Sequence, residues 1–204
     1  MIKNIVFDMG NVIIRFDPEL FMVRLGLAEE DRRLLKRELF VSLEWSRMDR
    51  GSLTDEEAAE IVCHRVPERL HDAVRRLVGM WDRPILPVEG MYELVEELRG
   101  MGYGIYLLSN ASFRQHDYWP RVPASKFFDG TLISADVKLV KPQPEIYRLL
   151  CDKFSLVPEE CVFIDDSTSN AEGAYFCGIN ALVFHGDAHE MRLKLNELGV
   201  KVKC

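Results

Sequence analysis

No apolar run in the 204-residue chain approaches the roughly 18 residues that cross a bilayer. The N-terminal stretch MIKNIVFDMGNVII is interrupted by Asp8 and Asn11 and lacks the small-residue cleavage site of a secretory leader. It is expected to be a buried strand, and the protein to be cytoplasmic. Cysteines are few and odd in number, at positions 63, 151, 161, 177 and 204, with no CxxC pair. That argues against a disulfide framework or a zinc site, and the expectation is buried thiols with Cys204 free. Basic charge is also short, 26 Lys and Arg against 33 Asp and Glu, for a net charge of −7. A nucleic acid or an anionic membrane as main partner would want the opposite balance. No internal repeat or low-complexity segment occurs.

What the chain has is alternation. Short apolar runs at Ile2–Phe7, Gly104–Leu108, Gly130–Ile133, Cys161–Ile164 and Ala181–Phe184 read as strands. From residue 84 onward, amphipathic helical stretches separate them. This pattern predicts an α/β fold, a Rossmann-like parallel sheet with helices on both faces. Between about Pro18 and Trp81 the rhythm is helical only, with Thr54 and Glu57 at capping-box spacing and Arg83-Pro84 and Pro87 marking a linker. The expected organisation is a core of residues 1–16 and 84–204, with 17–83 inserted as a small all-helical cap.

Ligands of open parallel sheets bind beyond the carboxyl ends of the strands. The residues there are Asp8-Met9-Gly10-Asn11, Ser109-Asn110, Ser134-Ala135-Asp136 leading to Lys141, and Asp165-Asp166-Ser167. Three carboxylates in one crevice need either strongly raised pKa values or a cation. Oxygen ligands favour Mg²⁺ over zinc. Lys141 and the Ser109 hydroxyl complement phosphate oxygens, and a carboxylate nucleophile beside Mg²⁺ and Lys is a route to an aspartyl-phosphate.

At these residues the sequence resembles the haloacid dehalogenase superfamily: FDMGN, LLSN, VKPQPEIY and VFIDDSTSN match its four motifs in order, and the likeness covers essentially the whole chain. FDMGNVII, DRGSLTDE and the Trp-Pro after the second motif are most similar to its bacterial members that act on α-D-glucose 1-phosphate. The resemblance implies that Asp8 is the nucleophile and a metal ligand. The Gly10 carbonyl and Asp166 would complete the Mg²⁺ site, with Asp165 direct or through water. It implies phosphoryl binding by Ser109 and Asn110, neutralisation by Lys141, and support of the last loop by Asn170. A small phosphorylated metabolite is the expected substrate, on a monomer or weak homodimer.

Most such phosphatases carry a second Asp two residues after the nucleophile, where this chain has Gly10. The missing acid points to a leaving group that needs little protonation, such as the anomeric oxygen of a sugar 1-phosphate. Asp17, Glu44 and His116 are candidate substitutes, and Trp45, Arg47 and Arg50 are candidate substrate contacts from the cap. The competing readings are a 2-haloacid dehalogenase, disfavoured by the paired Asp165-Asp166, and a pseudo-enzyme that binds a phosphorylated ligand without turnover, which rests on Gly10.

Overall fold

Five apolar runs form five strands in the computed structural model, which describes residues 1–203. Cys204 lies outside the described residues. The strands are β1 (Asn4–Phe7), β2 (Gly104–Ser109), β3 (Gly130–Ile133), β4 (Cys161–Asp165) and β5 (Asn180–Val183). They make one sheet in the order β3-β2-β1-β4-β5. All its pairings are parallel, with Ile5 opposite both Ile105 and Val162. β1 is central, so its carboxyl end faces a crevice flanked by the ends of β2 and β4. The chain runs outward from β1 in both directions, which makes this the switch point of the sheet.

Side chains alternate across the pleat, so the inner strands β1, β2 and β4 feed two cores. Ile5, Phe7, Ile105, Leu107, Val162 and Ile164 pack on one face with α6 (Met91–Gly100) and α11 (Ala188–Glu197). Val6, Leu108, Leu132 and Phe163 pack on the other with α9 (Pro144–Phe154) and α10 (Thr168–Phe176). Burial on both faces is why the strands read as unbroken apolar runs rather than as alternating ones.

The segment after β1 holds helices alone: α1 (Pro18–Arg24), α2 (Glu29–Leu35) continuing into a π turn, α3 (Leu43–Asp49), α4 (Asp55–Cys63) and α5 (His71–Met80). Their buried faces gather Met22, Leu35, Leu39, Val62, Val74 and Leu77 into a third apolar cluster of their own. α4 starts with the expected capping box: Thr54 Oγ1 accepts from the Glu57 N–H, and Glu57 accepts from the Thr54 N–H. Two shorter helices, α7 (Gln115–Tyr118) and α8 (Ser134–Val137), follow β2 and β3. No helix among the described residues is long and apolar enough to cross a membrane. The four described cysteines are free thiols, three of them buried.

Candidate active site

Lys141 sets the centre of the site. Its ammonium is buried, and its three N–H groups have three acceptors: Asp8 Oδ1 at 2.7 Å, Asp165 Oδ2 at 2.6 Å and the Leu108 carbonyl at 3.0 Å. Burial alone would lower the pKa of this lysine. The charges of Asp8 and Asp165 outweigh it and raise the pKa, so the ammonium stays charged. Burial raises the pKa of Asp8, with Lys141 opposing that shift and Asp165 adding to it.

Asp165 is fully buried at the end of β4, and its oxygens are spoken for. Besides Lys141, they accept from the Ser167 N–H at 2.8 Å and from Asn170 Nδ2 at 3.1 and 3.2 Å. Asp166 is more accessible and holds one hydrogen bond, from Asn11 Nδ2 at 3.2 Å. Burial raises its pKa, and the bond from Asn11 opposes this.

Oxygens of Asp8, Asp165 and Asp166 lie within 4.8 Å of one another. Three carboxylates facing one ammonium leave a formal deficit of two charges, which a divalent cation balances. The donor set is oxygen only, and the Gly10 carbonyl accepts no hydrogen bond among the described residues. These features fit Mg²⁺.

A cavity of about 190 Å³ opens above these groups. Asp8, Gly10, Asn110, Lys141, Asp166 and Asn170 line it from the sheet side. Trp45, Met48 and Asp49 of α3, Asp55 of α4, and Val78 and Trp81 line it from the helical block, with Phe16 and Tyr118 between. The structure thus gathers most of the residues singled out in the sequence. Ser109 is buried at the end of β2, beneath the lining that Asn110, Ala111 and Ser112 provide.

The three candidate substitute acids point elsewhere. Asp17 caps α1 through the Leu20 N–H. Glu44 is buried on the hydrogen bond from Arg65, which lowers its pKa. His116 is exposed and pairs with Asp136. Of the candidate cap contacts, Trp45 lines the cavity, whereas Arg47 and Arg50 are exposed.

Asp49 and Asp55 escaped the sequence reading. A signal existed: Trp45, Met48 and Asp49 are spaced i, i+3, i+4 and so share one face of α3. Asn11, placed at the end of β1 from the sequence, was given no role there. It sits at φ 54°, where Asn is tolerated, and ties the β1 loop together by accepting from the Phe16 N–H at 3.0 Å while donating to Asp166.

The helical block is fastened to the sheet at several points. The Ser134 hydroxyl donates to the Asp49 carbonyl and accepts from the Ala111 N–H at 2.9 Å. Gly51, at φ +67°, lies so close to the Ala135 backbone that no Cβ fits. Asp82, buried, takes hydrogen bonds from Arg121 and from Arg114, the latter at 2.5 Å.

Residues 2–178 match the haloacid dehalogenase-like hydrolase family. The chain belongs to that family. This haloacid dehalogenase-like hydrolase is 25% identical over 194 residues to a phosphorylated carbohydrates phosphatase of Thermotoga maritima, covering 93% of this chain and 87% of that one. It is 28% identical over 187 residues to a D-ribitol-5-phosphate phosphatase of Bacteroides thetaiotaomicron, covering 83% and 85%. Its fold is shared with a haloacid dehalogenase family enzyme of the same Bacteroides species, solved with magnesium and inorganic phosphate (TM-score 0.71, 23% identity, 94% and 99% covered).

Proposed function

We propose that this hydrolase is a Mg²⁺-dependent phosphatase of small phosphorylated metabolites, sugar phosphates foremost, working through an aspartyl-phosphate on Asp8. One observation carries this reading: Asp8 directly follows the central strand and is held by Lys141, with oxygens of Asp165 and Asp166 within 4.8 Å. The names of the two relatives above support phosphorylated sugars or polyols as the substrate class. The cavity does too, because Trp45, Trp81 and Phe16 offer flat apolar surface to a C–H face beside the polar floor.

Asp8 would attack phosphorus with its carboxylate as the ester oxygen departs. Asp8, Asp166 and the Gly10 carbonyl would hold Mg²⁺, with Asp165 behind them. The bound ion supplies positive charge to the phosphoryl oxygens and to the clustered carboxylates. Lys141 opposes the burial that raises the Asp8 pKa and aims the carboxylate, and its saturated ammonium offsets one of the three clustered charges without leaving its place. Water then releases phosphate from Asp8. Residues 17–83 act as the cap, excluding bulk water from the cavity and choosing the leaving group. Taken alone, Gly10 favours a sugar 1-phosphate.

The test is a panel of sugar 1-phosphates, sugar 5- and 6-phosphates and polyol phosphates, assayed with Mg²⁺ and with EDTA. Turnover that needs Mg²⁺ and disappears in Asp8→Asn is the expected result. Activity retained in Asp8→Asn refutes the mechanism. Dehalogenation of a 2-haloacid in EDTA would move the protein to the other chemistry of its family.

A further inference from the structure

Phosphoryl transfer to Asp8 leaves an alkoxide that needs a proton, and hydrolysis of the acyl phosphate on Asp8 needs a base to take one from water. Gly10 offers no side chain for either task. Asp8, Asp165, Asp166 and Asp55 are already engaged, with Lys141, with Asn11, and with Ser112 and Arg114. Asp49 differs from all of them. Asp49 lines the same cavity as Asp8, and its carboxyl group makes no hydrogen bond or ion pair among the described residues.

Asp49 is also held in place. It is the last residue of α3, its carbonyl is bonded by the Ser134 hydroxyl, and Gly51 two residues on packs against the Ala135 backbone. The cap therefore delivers this acid on a fixed segment rather than on a loose tip.

We propose that Asp49 is the acid–base residue of this site, acting from the cap in place of the side chain missing at Gly10. This rests on the reading of Asp8 as nucleophile. In the first half-reaction an Asp8 oxygen bonds to phosphorus, the bond from phosphorus to the ester oxygen breaks, and the Asp49 carboxylic acid gives its proton to that oxygen, releasing the alcohol. In the second, water attacks phosphorus and passes a proton to the Asp49 carboxylate. The Asp8–phosphorus bond breaks, so phosphate leaves and both aspartates return to their starting forms. Burial, with Asp55 and Asp8 adding and Lys141 subtracting, pushes the Asp49 pKa up to about 8, so the acid carries its proton near neutrality. A donor supplied by the cap removes the restriction to weakly basic leaving groups that Gly10 suggests, and brings primary-alcohol phosphates into range.

The experiment compares Asp49→Asn with the unmodified chain on p-nitrophenyl phosphate, whose phenolate leaves with little protonation, and on phenyl phosphate, whose phenolate is more basic. Expected is a loss of about 10²–10⁴-fold in kcat/KM on phenyl phosphate, with a much smaller loss on the nitrophenyl ester. The nitrophenyl ester should also give a burst of phenolate and a phosphorylated Asp8 detectable by mass spectrometry, because the second step lacks its base. Asp49→Glu should recover part of the phenyl phosphate activity, and it serves as the acid-bearing variant should Asp49→Asn melt early. Equal losses on the two esters with no burst, or no loss on either, overturn the proposal. Burst and turnover surviving in Asp8→Asn would instead refute the nucleophile itself.

Discussion

Asn110 and Lys141 are joined by a reciprocal pair of hydrogen bonds: Asn110 Nδ2 donates to the Lys141 carbonyl at 3.0 Å, and Asn110 Oδ1 accepts from the Lys141 N–H at 2.8 Å. The amide at the end of β2 thereby fixes the backbone from which the ammonium reaches Asp8 and Asp165. Asn110 positions Lys141 as well as lining the cavity.

Replacing Asn110 with Ala removes both bonds and lets the lysine drift. A misplacement of about 1 Å near reacting groups can cost about 10²-fold in rate, so kcat should fall by that order. The melting temperature should fall as well, because a buried backbone pair is left unmatched at a cost of about 1–3 kcal/mol. Steady-state kinetics beside thermal melts check this. A drop in stability with unchanged kcat would reduce Asn110 to a structural role.

Metal binding is open to measurement without turnover. Mg²⁺ that binds only the folded chain adds about 2.7 kcal/mol at a hundredfold excess over its Kd. A Mg²⁺ titration followed by melting should therefore raise the transition steadily in the unmodified protein. Asp166→Asn removes the most accessible of the three clustered carboxylates and should abolish most of that rise. An unchanged Mg²⁺ response in Asp166→Asn would remove this residue from the ligand set.

The raised pKa of Asp49 has a consequence for stability. The folded chain holds this proton more tightly than the unfolded chain, whose carboxyl titrates near 3.8. The stability tied to it is present below about pH 4 and is lost as pH climbs towards 8. Asp49→Asn carries no charge at any pH. In the metal-free protein it should melt higher than the unmodified chain at pH 8, with the gap closing as pH falls towards 4. Melting curves at a series of pH values in EDTA read this directly. A gap that widens towards acid would show that the carboxyl is paired in the folded state.

Position 10 accepts a Cβ without a clash. A Cβ built there meets nothing nearer than Asp8 Oδ2 at 3.8 Å, an ordinary contact. Gly10→Asp alone should change kcat little if the cap already supplies the proton. Introduced into Asp49→Asn, it should recover phenyl phosphate hydrolysis to within about tenfold of the unmodified chain, since either acid serves the same step. Failure of this rescue, with both variants folded, would separate the two positions in role.

The sequence by itself determined the sheet and its catalytic edge. Strands buried on both faces must be apolar throughout, so the inner strands β1, β2 and β4 stand out from the helices between them more than the half-buried edge strands β3 and β5 do, and the residues that interrupt those runs, Asp8, Asn110, Asp165 and Asp166, necessarily sit where the strands end. The order of four motifs identified the family for the same reason, because chemistry in this fold is tied to strand ends. Tertiary structure alone decided the rest. Asp49, Asp55 and Trp81 lie far along the chain from every strand end, and the i, i+3, i+4 spacing that puts Trp45, Met48 and Asp49 on one face of α3 does not say what that face will be turned onto. That choice was made where Ser134 holds the Asp49 carbonyl, Gly51 meets Ala135 and Asp82 gathers Arg114 and Arg121. Ser109 and Asn110, adjacent in sequence, part company for a related reason: the first completes the buried strand and the second turns out of it, a difference of one residue that only the packed sheet defines.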